Sequence, residues 1–292
     1  MRWRDLKSLA GRCVPGSGTV EIRRLGLGLV NETYQVLRDG HAYALRVAGA
    51  DPHALGLDHA WEARLLDCAV RANLAPAVAY CDPQRGILLA HWVEGRSWTA
   101  AQARQPPNIV RLAELARRIH ALPMPTAARV MNPAQWIDYY RAALARRGAC
   151  TKTFAQSIVA VADRRLAQLA ALPAALPVVC HSDLHALNLI DRGHSLVLLD
   201  WEYAHAADPL WDLAGWSANN DLADELQRDL LVNYYGRPAT SHEWSRLKLL
   251  IWLYDYVCWL WSELYLNLRR GALTKSVSAR ALLIKTRLGG EP

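Results

Sequence analysis

The segment His181-Ser182-Asp183-Leu184-His185-Ala186-Leu187-Asn188, followed twelve residues later by Asp200, carries the most explicit chemistry in this sequence. Asp183 offers a proton acceptor, and Asn188 and Asp200 offer two oxygen ligands for a hard cation. Those are the parts that phosphoryl transfer from a Mg-nucleotide requires. Two spacings must hold at once, H-x-D-x-x-x-x-N and the interval to Asp200, so the signal exceeds that of one short motif. Two rival readings of the loop remain: a zinc site from His181, Asp183 and His185, or a purely structural polar loop. Zinc ligands at i and i+4 usually need a helix, and the flanking apolar runs argue for strands instead. His181 reads as structural, its ring holding the loop through backbone bonds.

The elements around this loop follow from periodicity. Leu176–Cys180 and Leu189–Ile190 read as strands on either side of it, and Ser195–Leu199 delivers Asp200. A buried strand gains nothing in packing from ending in a carboxylate, since an unpaired buried charge is costly. Upstream, Val20–Leu25, Thr33–Arg38 and Ala42–Val47 read as strands, with Asp39-Gly40 as a hairpin turn. Leu57–Ala72 has helical spacing with Asp58 as N-cap, and Val78–Cys81 and Gly86–Val93 bracket a hairpin at Asp82-Pro83. Beyond residue 96 the sequence turns to helices: Asn108–Leu122, Pro133–Arg147, Thr153–Leu172, Pro209–Ser217, Leu222–Tyr235, His242–Arg269 and Lys275–Leu288. The expected fold is α+β in two lobes with a cleft at the hinge. A β-rich nucleotide-binding lobe covers 1–95, and a helical lobe with the catalytic loop and acceptor site covers 96–292.

Phosphoryl transfer also needs a small-lobe cation paired with a helix carboxylate. No lysine occurs between Lys7 and Lys152, so lysine cannot fill the role there. Arg46, in Tyr43-Ala44-Leu45-Arg46-Val47, stands on the second hairpin strand where the cation belongs, and Glu62 lies on the following helix. The guanidinium is a fixed charge with a forked donor set; a surface strand arginine is the bland alternative. Gly26-Leu27-Gly28 precedes a hairpin rather than a helix, which disfavours a dinucleotide fold. As a phosphate-covering turn around Gly28 it makes sense, with Asn31 and Thr33 offering polar groups near the phosphates. Asp212 could accept bonds from the catalytic-loop backbone or simply complement a helix N-terminus.

Taken in order, Gly28-Leu29-Val30-Asn31, Ala44-Leu45-Arg46-Val47, Trp61-Glu62, Leu88–Gly95, His181–Asn188, Leu199–Tyr203 and Trp211–Ala214 resemble the aminoglycoside phosphotransferase/choline kinase superfamily, within the protein-kinase-like fold. Bacterial choline/ethanolamine kinases and thiamine kinases are the nearest in kind. The resemblance implies ATP and Mg²⁺ as cofactors, Asp183 as catalytic base, and Asn188 and Asp200 as metal ligands. It also implies a hinge at Ala90–Trp92 whose backbone receives the adenine. Serine at 182 departs from the glycine or other small residue usual there.

The acceptor is expected to bind in the C-terminal third. Trp252, Tyr256 and Trp259 share one helix face, with Tyr254, Trp261 and Tyr265 on another. Aromatic faces attract quaternary ammonium groups by roughly 0.5–2 kcal/mol each, although tryptophans on a long apolar helix are commonly core. With Glu202 nearby in the reading, these residues suit a small cationic alcohol such as choline, ethanolamine or thiamine. Aminoglycoside or macrolide antibiotics are the alternative acceptors, and a non-catalytic kinase-like binding module is a third reading. A polycationic antibiotic would want many carboxylates, and the sequence has 27 acids against 34 bases.

Composition sets the outer limits. The 292 residues are 52% apolar with a net charge of +7, and no run of like charge suggests a nucleic-acid arm. The six cysteines form no C-x-x-C pair and read as reduced, which with the lack of a signal-peptide core points to the cytoplasm. Leu247–Leu268 is apolar enough to suggest a membrane span, but Lys248, Asp255 and Glu263 interrupt it. The partners expected are a nucleotide and a small acceptor, and oligomeric state is left open.

Overall fold

The computed structural model describes residues 3–49, 52–126, 128–149, 156–268 and 274–289. Cys150, Lys152, Arg269 and the first residues of the helix expected from Thr153 lie outside them. The chain divides into two compact units: Met1–Arg96 with Ile190–Glu202, and Ser97–Leu189 with Tyr203–Pro292. The expected division at 95/96 was contiguous; here the segment bearing Asp200 groups with the first unit. Its backbone explains why: Arg96 and Asp191 exchange N–H···O=C bonds at 3.0 and 2.8 Å, and Leu198 N–H donates to Leu74 O at 2.8 Å.

The first unit is an antiparallel sheet of β1 (Glu21–Leu27), β2 (Asn31–Arg38), β3 (His41–Ala48), β4 (Val78–Asp82) and β5 (Ile87–His91), in the order β1-β2-β3-β5-β4. The two-stranded ribbon expected from sequence is thus the middle of a five-stranded sheet. The β2–β3 hairpin closes on Asp39-Gly40, both in the left-handed region (φ 50° and 77°), the turn chemistry that matches strand twist. Period-two alternation sends Tyr34, Val36, Tyr43, Leu45, Ile87 and Leu89 to one face. There they form a core with Leu6, Leu9 and Ala10 of helix α1 (Trp3–Cys13), which the sequence reading missed. The same alternation turns Arg46 away from that core. Helix α2 (His59–Arg71) starts at Asp58, whose carboxylate accepts from Ala60 N and Trp61 N at 3.0 Å.

The second unit is helical. The 28-residue helix Ser241–Leu268 is its axis, packed by the helices Pro133–Ala145, Gln156–Ala170, Leu210–Asn219 and Thr274–Gly289. Pro106–His120 packs on Asp224–Tyr235. A short antiparallel pair, Val178–Cys180 with His205–Ala207, leads into the Asp183 loop. Among the described residues no helix is long and apolar enough to cross a membrane.

Candidate active site

In the first unit the β3 strand presents Arg46 to α2. Its Nη2 donates to Glu62 Oε2 at 2.6 Å and its Nη1 to Asp200 Oδ1 at 2.9 Å; Glu202 Oε2 lies 3.8 Å away. Burial opposes the charge on Arg46, but Glu62, Asp200 and Glu202 outweigh it and hold the guanidinium firmly protonated. Burial likewise opposes ionisation of Glu62, and Arg46 and His59 prevail, keeping that carboxyl below its usual range. The bland reading of Arg46 as a surface strand residue fails, since only 12% of its side chain is exposed.

Glu202 was expected at the acceptor. It sits instead in this first-unit network, buried, with Asn31 Nδ2 donating to its Oε2 at 2.6 Å. Burial and the neighbouring Asp200 push its carboxyl well up, so it takes up a proton far more readily than Glu62. Asn31 therefore spends an amide hydrogen on Glu202. Gly28 earns its place sterically, because a Cβ there would fall 2.2 Å from Asn31 O. At the expected hinge, the backbone N–H groups of His91 and Trp92 are committed to Ala77 O (2.8 Å) and Ala42 O (3.0 Å), and Ala90 pairs with Ala44 and Val78 inside the sheet.

In the second unit the loop is anchored from below by Asp212. Its two oxygens accept from His181 N (2.9 Å) and Ser182 N (2.7 Å), and His120 Nε2 lies 3.2 Å away. Burial would raise this carboxyl, but His120, His181 and the Ser182 amide hold it low. Asp212 is 1% exposed, so loop anchoring, rather than a helix terminus in water, is its structural role. His181 is fully buried, and the bond to Asp212 comes from its backbone rather than its ring. Ser182 adopts φ +66°, the left-handed conformation where glycine costs least. Asp200 shares that conformation at φ +61°.

Asp183 is recessed, with 31% of its side chain still exposed. Asn188 Nδ2 donates to both Asp183 O and Asp183 Oδ2 at 3.0 Å. That use of the amide nitrogen leaves the Asn188 oxygen for another partner. His185 Nδ1 accepts from Leu187 N at 3.2 Å, so its proton is on Nε2, 3.4 Å from Asp183 Oδ2. Burial works against the Asp183 carboxylate, but His185, His181 and Arg280 hold it well below the usual range. A carboxylate fixed in this way is ionised at any physiological pH. Asn188 of the second unit offers an amide oxygen and Asp200 of the first a carboxylate, each by itself a hard donor of the kind Mg²⁺ takes.

The zinc reading does not survive: among the described residues, the His/Cys/Asp/Glu group close enough to share a metal is His120, Cys180 and Asp212. There burial and Asp212 push the Cys180 thiol far up, and Asp212 is already saturated by backbone donors.

The aromatic face Trp252, Tyr256, Trp259 exists, with Trp252 and Tyr256 stacked at 5.6 Å and Tyr256 and Trp259 tilted at 5.8 Å. It points into the core, since Tyr256 and Trp259 are 0% and 1% exposed. Arg165 stands 4.9 Å over the Trp252 ring, and Arg141 covers Tyr256 at 5.5 Å while donating to its hydroxyl. Protein cations thus already occupy ring faces expected for an acceptor. The other face reaches the loop: Asn219 Nδ2 donates to Tyr254 OH (3.2 Å) and Leu184 O (3.5 Å), and its Oδ1 accepts from Arg280 Nη2 at 2.7 Å. Nearby on the same helix, Trp261 Nε1 donates to Tyr203 OH at 2.6 Å, and both rings stay partly exposed. Asn219 and Arg280 went unread in the sequence, where no spacing ties them to Asp183, and Tyr203 was quoted within the Leu199–Tyr203 stretch without a role of its own.

The profile of the phosphotransferase enzyme family (APH) matches residues 21–250. The solved choline/ethanolamine kinase family protein from Mesorhizobium loti superposes with TM-score 0.80 at 24% identity, covering 100% of this chain and 96% of that one. Choline kinase LicA from Streptococcus pneumoniae gives 0.76 at 20% identity over 97% and 98% of the two chains. The ternary complex of APH(2″)-IIa with streptomycin and ATP gives 0.66 at 16% identity over 97% of each. Protein LicA of Haemophilus influenzae is 29% identical over 90 residues, 29% of this chain, so the match spans about a third (34%) of that relative's length.

Proposed function

The chain belongs to the phosphotransferase enzyme family, and its fold is that of the choline kinase-like and aminoglycoside phosphotransferase structures. We propose that it is an ATP- and Mg²⁺-dependent kinase that phosphorylates a hydroxyl of a small cationic metabolite of the choline, ethanolamine or thiamine kind. The observation that carries this reading is Asp183: ionised, partly exposed, and held by Asn188 and His185 on a loop pinned by Asp212.

Asp183 would orient the acceptor hydroxyl and take its proton as the new P–O bond forms. Asn188 and Asp200 would hold Mg²⁺, which supplies charge neutralisation for the phosphates. Arg46, fixed by Glu62, would grip the phosphates, and the Gly28 turn would let backbone approach them. Since Trp92 N–H is spent on Ala42, adenine would be met by amides past the sheet, at Val93 or Glu94. Resemblance to choline and ethanolamine kinases supports the small acceptor. So does the pairing of second-unit carboxylates with arginines: Asp255 and Asp221 with Arg287, Asp163 with Arg141, Asp208 with Arg246. Those acids are unavailable to a polycation, which weighs against an aminoglycoside acceptor.

The deciding experiment is an ADP-release screen with choline, ethanolamine, thiamine, amino sugars, aminoglycosides and macrolides. Turnover with a small alcohol, lost in folded Asp183→Ala and Asp200→Ala proteins, is expected. Near-normal turnover in Asp183→Ala would sink the assignment, and antibiotic turnover would replace the acceptor class.

A further inference from the structure

Within the second unit, helix Asp224–Tyr235 lies against helix Pro106–His120. Arg117 Nη1 donates to Asn233 O at 2.8 Å and ties the two helices together one turn from His120. There the Tyr234 hydroxyl stands 2.8 Å from His120 Nδ1, and the two rings meet edge to face at 5.4 Å. On the other side of the imidazole, Nε2 is 3.2 Å from Asp212 Oδ2, the oxygen that also accepts from His181 N at 2.9 Å. Three helices thus contribute to one line of polar groups: Tyr234, His120, Asp212, and then the backbone of the loop that carries Asp183.

The direction of each bond follows from the charges. Asp212 is ionised and can only accept, so the His120 nitrogen that faces it carries a proton. Nδ1 is then a lone pair in the neutral ring or a second N–H in the imidazolium. A hydroxyl donates to the first and accepts from the second, so Tyr234 satisfies Nδ1 in either state. Burial pushes the Tyr234 phenol up, with Tyr235, Cys180, Asp212 and Asp208 adding to it, so the hydroxyl keeps its proton. The His120 and Asp212 side chains are 4% and 0% exposed, and solvent is a poor substitute for Tyr234 there. An imidazole held at one nitrogen can still turn about its outer side-chain torsion, whose wells are broad. Held at both, it cannot.

We propose that Tyr234 is a positioning residue for phosphoryl transfer: its hydroxyl pins the His120 ring, the ring steadies the Asp212 carboxylate, and the carboxylate sets the backbone that presents Asp183. Tyr234 acts through His120 and touches none of the reacting atoms. The effect on turnover rests on the kinase reading above, whereas the hold on His120 does not.

Tyr234→Phe removes the hydroxyl and keeps the ring, which separates the hydrogen bond from packing. With the acceptor found in the ADP-release screen, kcat should fall by roughly threefold to tenfold while KM for Mg-ATP holds. Tyr235→Phe, one residue on in the same helix, should leave kcat unchanged. In a His120→Ala background, or His120→Leu if that protein does not fold, Tyr234→Phe should cost no further activity. A lowered denaturation midpoint with unchanged kcat would make Tyr234 a packing residue and overturn the proposal. So would an equal loss of kcat in Tyr235→Phe, or an undiminished loss in the His120 background. Independently of turnover, NMR on protein labelled with ¹⁵N-histidine follows the His120 Nε2–H, identified by its absence in the His120 variant. Its exchange with water should be roughly tenfold faster in Tyr234→Phe than in the parent, and an unchanged rate overturns the hold on His120. If the parent turns over no acceptor, the kinase reading fails, and the exchange rate still decides whether Tyr234 holds the ring.

Discussion

Replacing Arg46 by lysine keeps a cation in place and removes the fork, which makes it a sharp test of how the first-unit network is held. The guanidinium spends one nitrogen on Glu62 and the other on Asp200, at 2.6 and 2.9 Å. A lysine ammonium is a point charge on a flexible stem and cannot reproduce that divergence. The Glu62 bond is the better buried, with 4% of the Glu62 side chain exposed against 36% for Asp200. Lysine should therefore keep Glu62 and surrender Asp200. A hydrogen bond to a charged group contributes about 1.5–3 kcal/mol, and partial exposure of Asp200 places its loss near the lower end, about 1–2 kcal/mol. Arg46→Ala, which abandons Glu62 and leaves a buried charge unpaired, should cost about 3–5 kcal/mol.

The assay is urea unfolding in metal-free buffer, following the transition that reports the first unit, with slope m as the control for two-state behaviour. A double-mutant cycle separates the two arms of the fork. Asp200→Asn should cost about 1–2 kcal/mol less in the Arg46→Lys background than in the parent, while Glu62→Gln should cost about the same in both. If Asp200→Asn is equally damaging in both backgrounds, the fork does not hold Asp200 and the reasoning fails. Equal stability of Arg46→Lys and the parent would refute it as well.

His205 is buried and its imidazole is held down to about 4, with burial as the largest cause. Its folded value lies below the unfolded 6.5, so the unfolded chain binds the extra proton first and stability falls as pH drops from 6.5 towards 4. The loss should approach about 2 kcal/mol at pH 5, read as a denaturation midpoint that a His205→Gln protein no longer shifts; an unchanged acid dependence in that variant would refute the assignment. Arg280 places a cation near Asp183, so Arg280→Ala should lower KM for a cationic acceptor by roughly threefold to tenfold with kcat little changed, and a raised KM would point to an acceptor with an anionic group. Asp212→Asn should reduce kcat by at least tenfold while nucleotide affinity holds, because it loosens the backbone of His181 and Ser182 and the contact with His120, all within the second unit; parallel loss of nucleotide affinity would contradict a role confined to that unit.

What could be read from sequence was chemistry encoded in short spacings. The interval from Asp183 to Asn188 is closed by one amide reaching two oxygens, and Asp58 caps its helix through neighbours two and three residues on. Arg46 and Glu62 were legible because the missing lysine and strand alternation left few alternatives. Helix α1 went unread: its spacing suits a surface helix, and only the sheet face it covers reveals it as core. Asn219 and Arg280 are 35 or more residues from their partners, and nothing local marks them.

The acceptor face failed for a physical reason that applies more widely. Helical spacing correctly put Trp252, Tyr256 and Trp259 together, but periodicity reports which residues share a face and not what covers it. The cover here is Arg141 and Arg165, drawn from two other helices, and a guanidinium over a ring satisfies the same quadrupole that a quaternary ammonium would seek. A ring face is a vacancy for a cationic substrate only when the protein's own cations are elsewhere. In a chain with 34 arginines and lysines and 12 tryptophans, that competition has to be resolved ring by ring. Exposure singles out instead Trp261 and Tyr203, linked at 2.6 Å and both partly exposed, as the aromatic groups that Trp261→Ala and Tyr203→Phe should test first. Loss of acceptor affinity in Trp261→Ala with nucleotide affinity intact would support them, and an unchanged KM for the acceptor would rule them out.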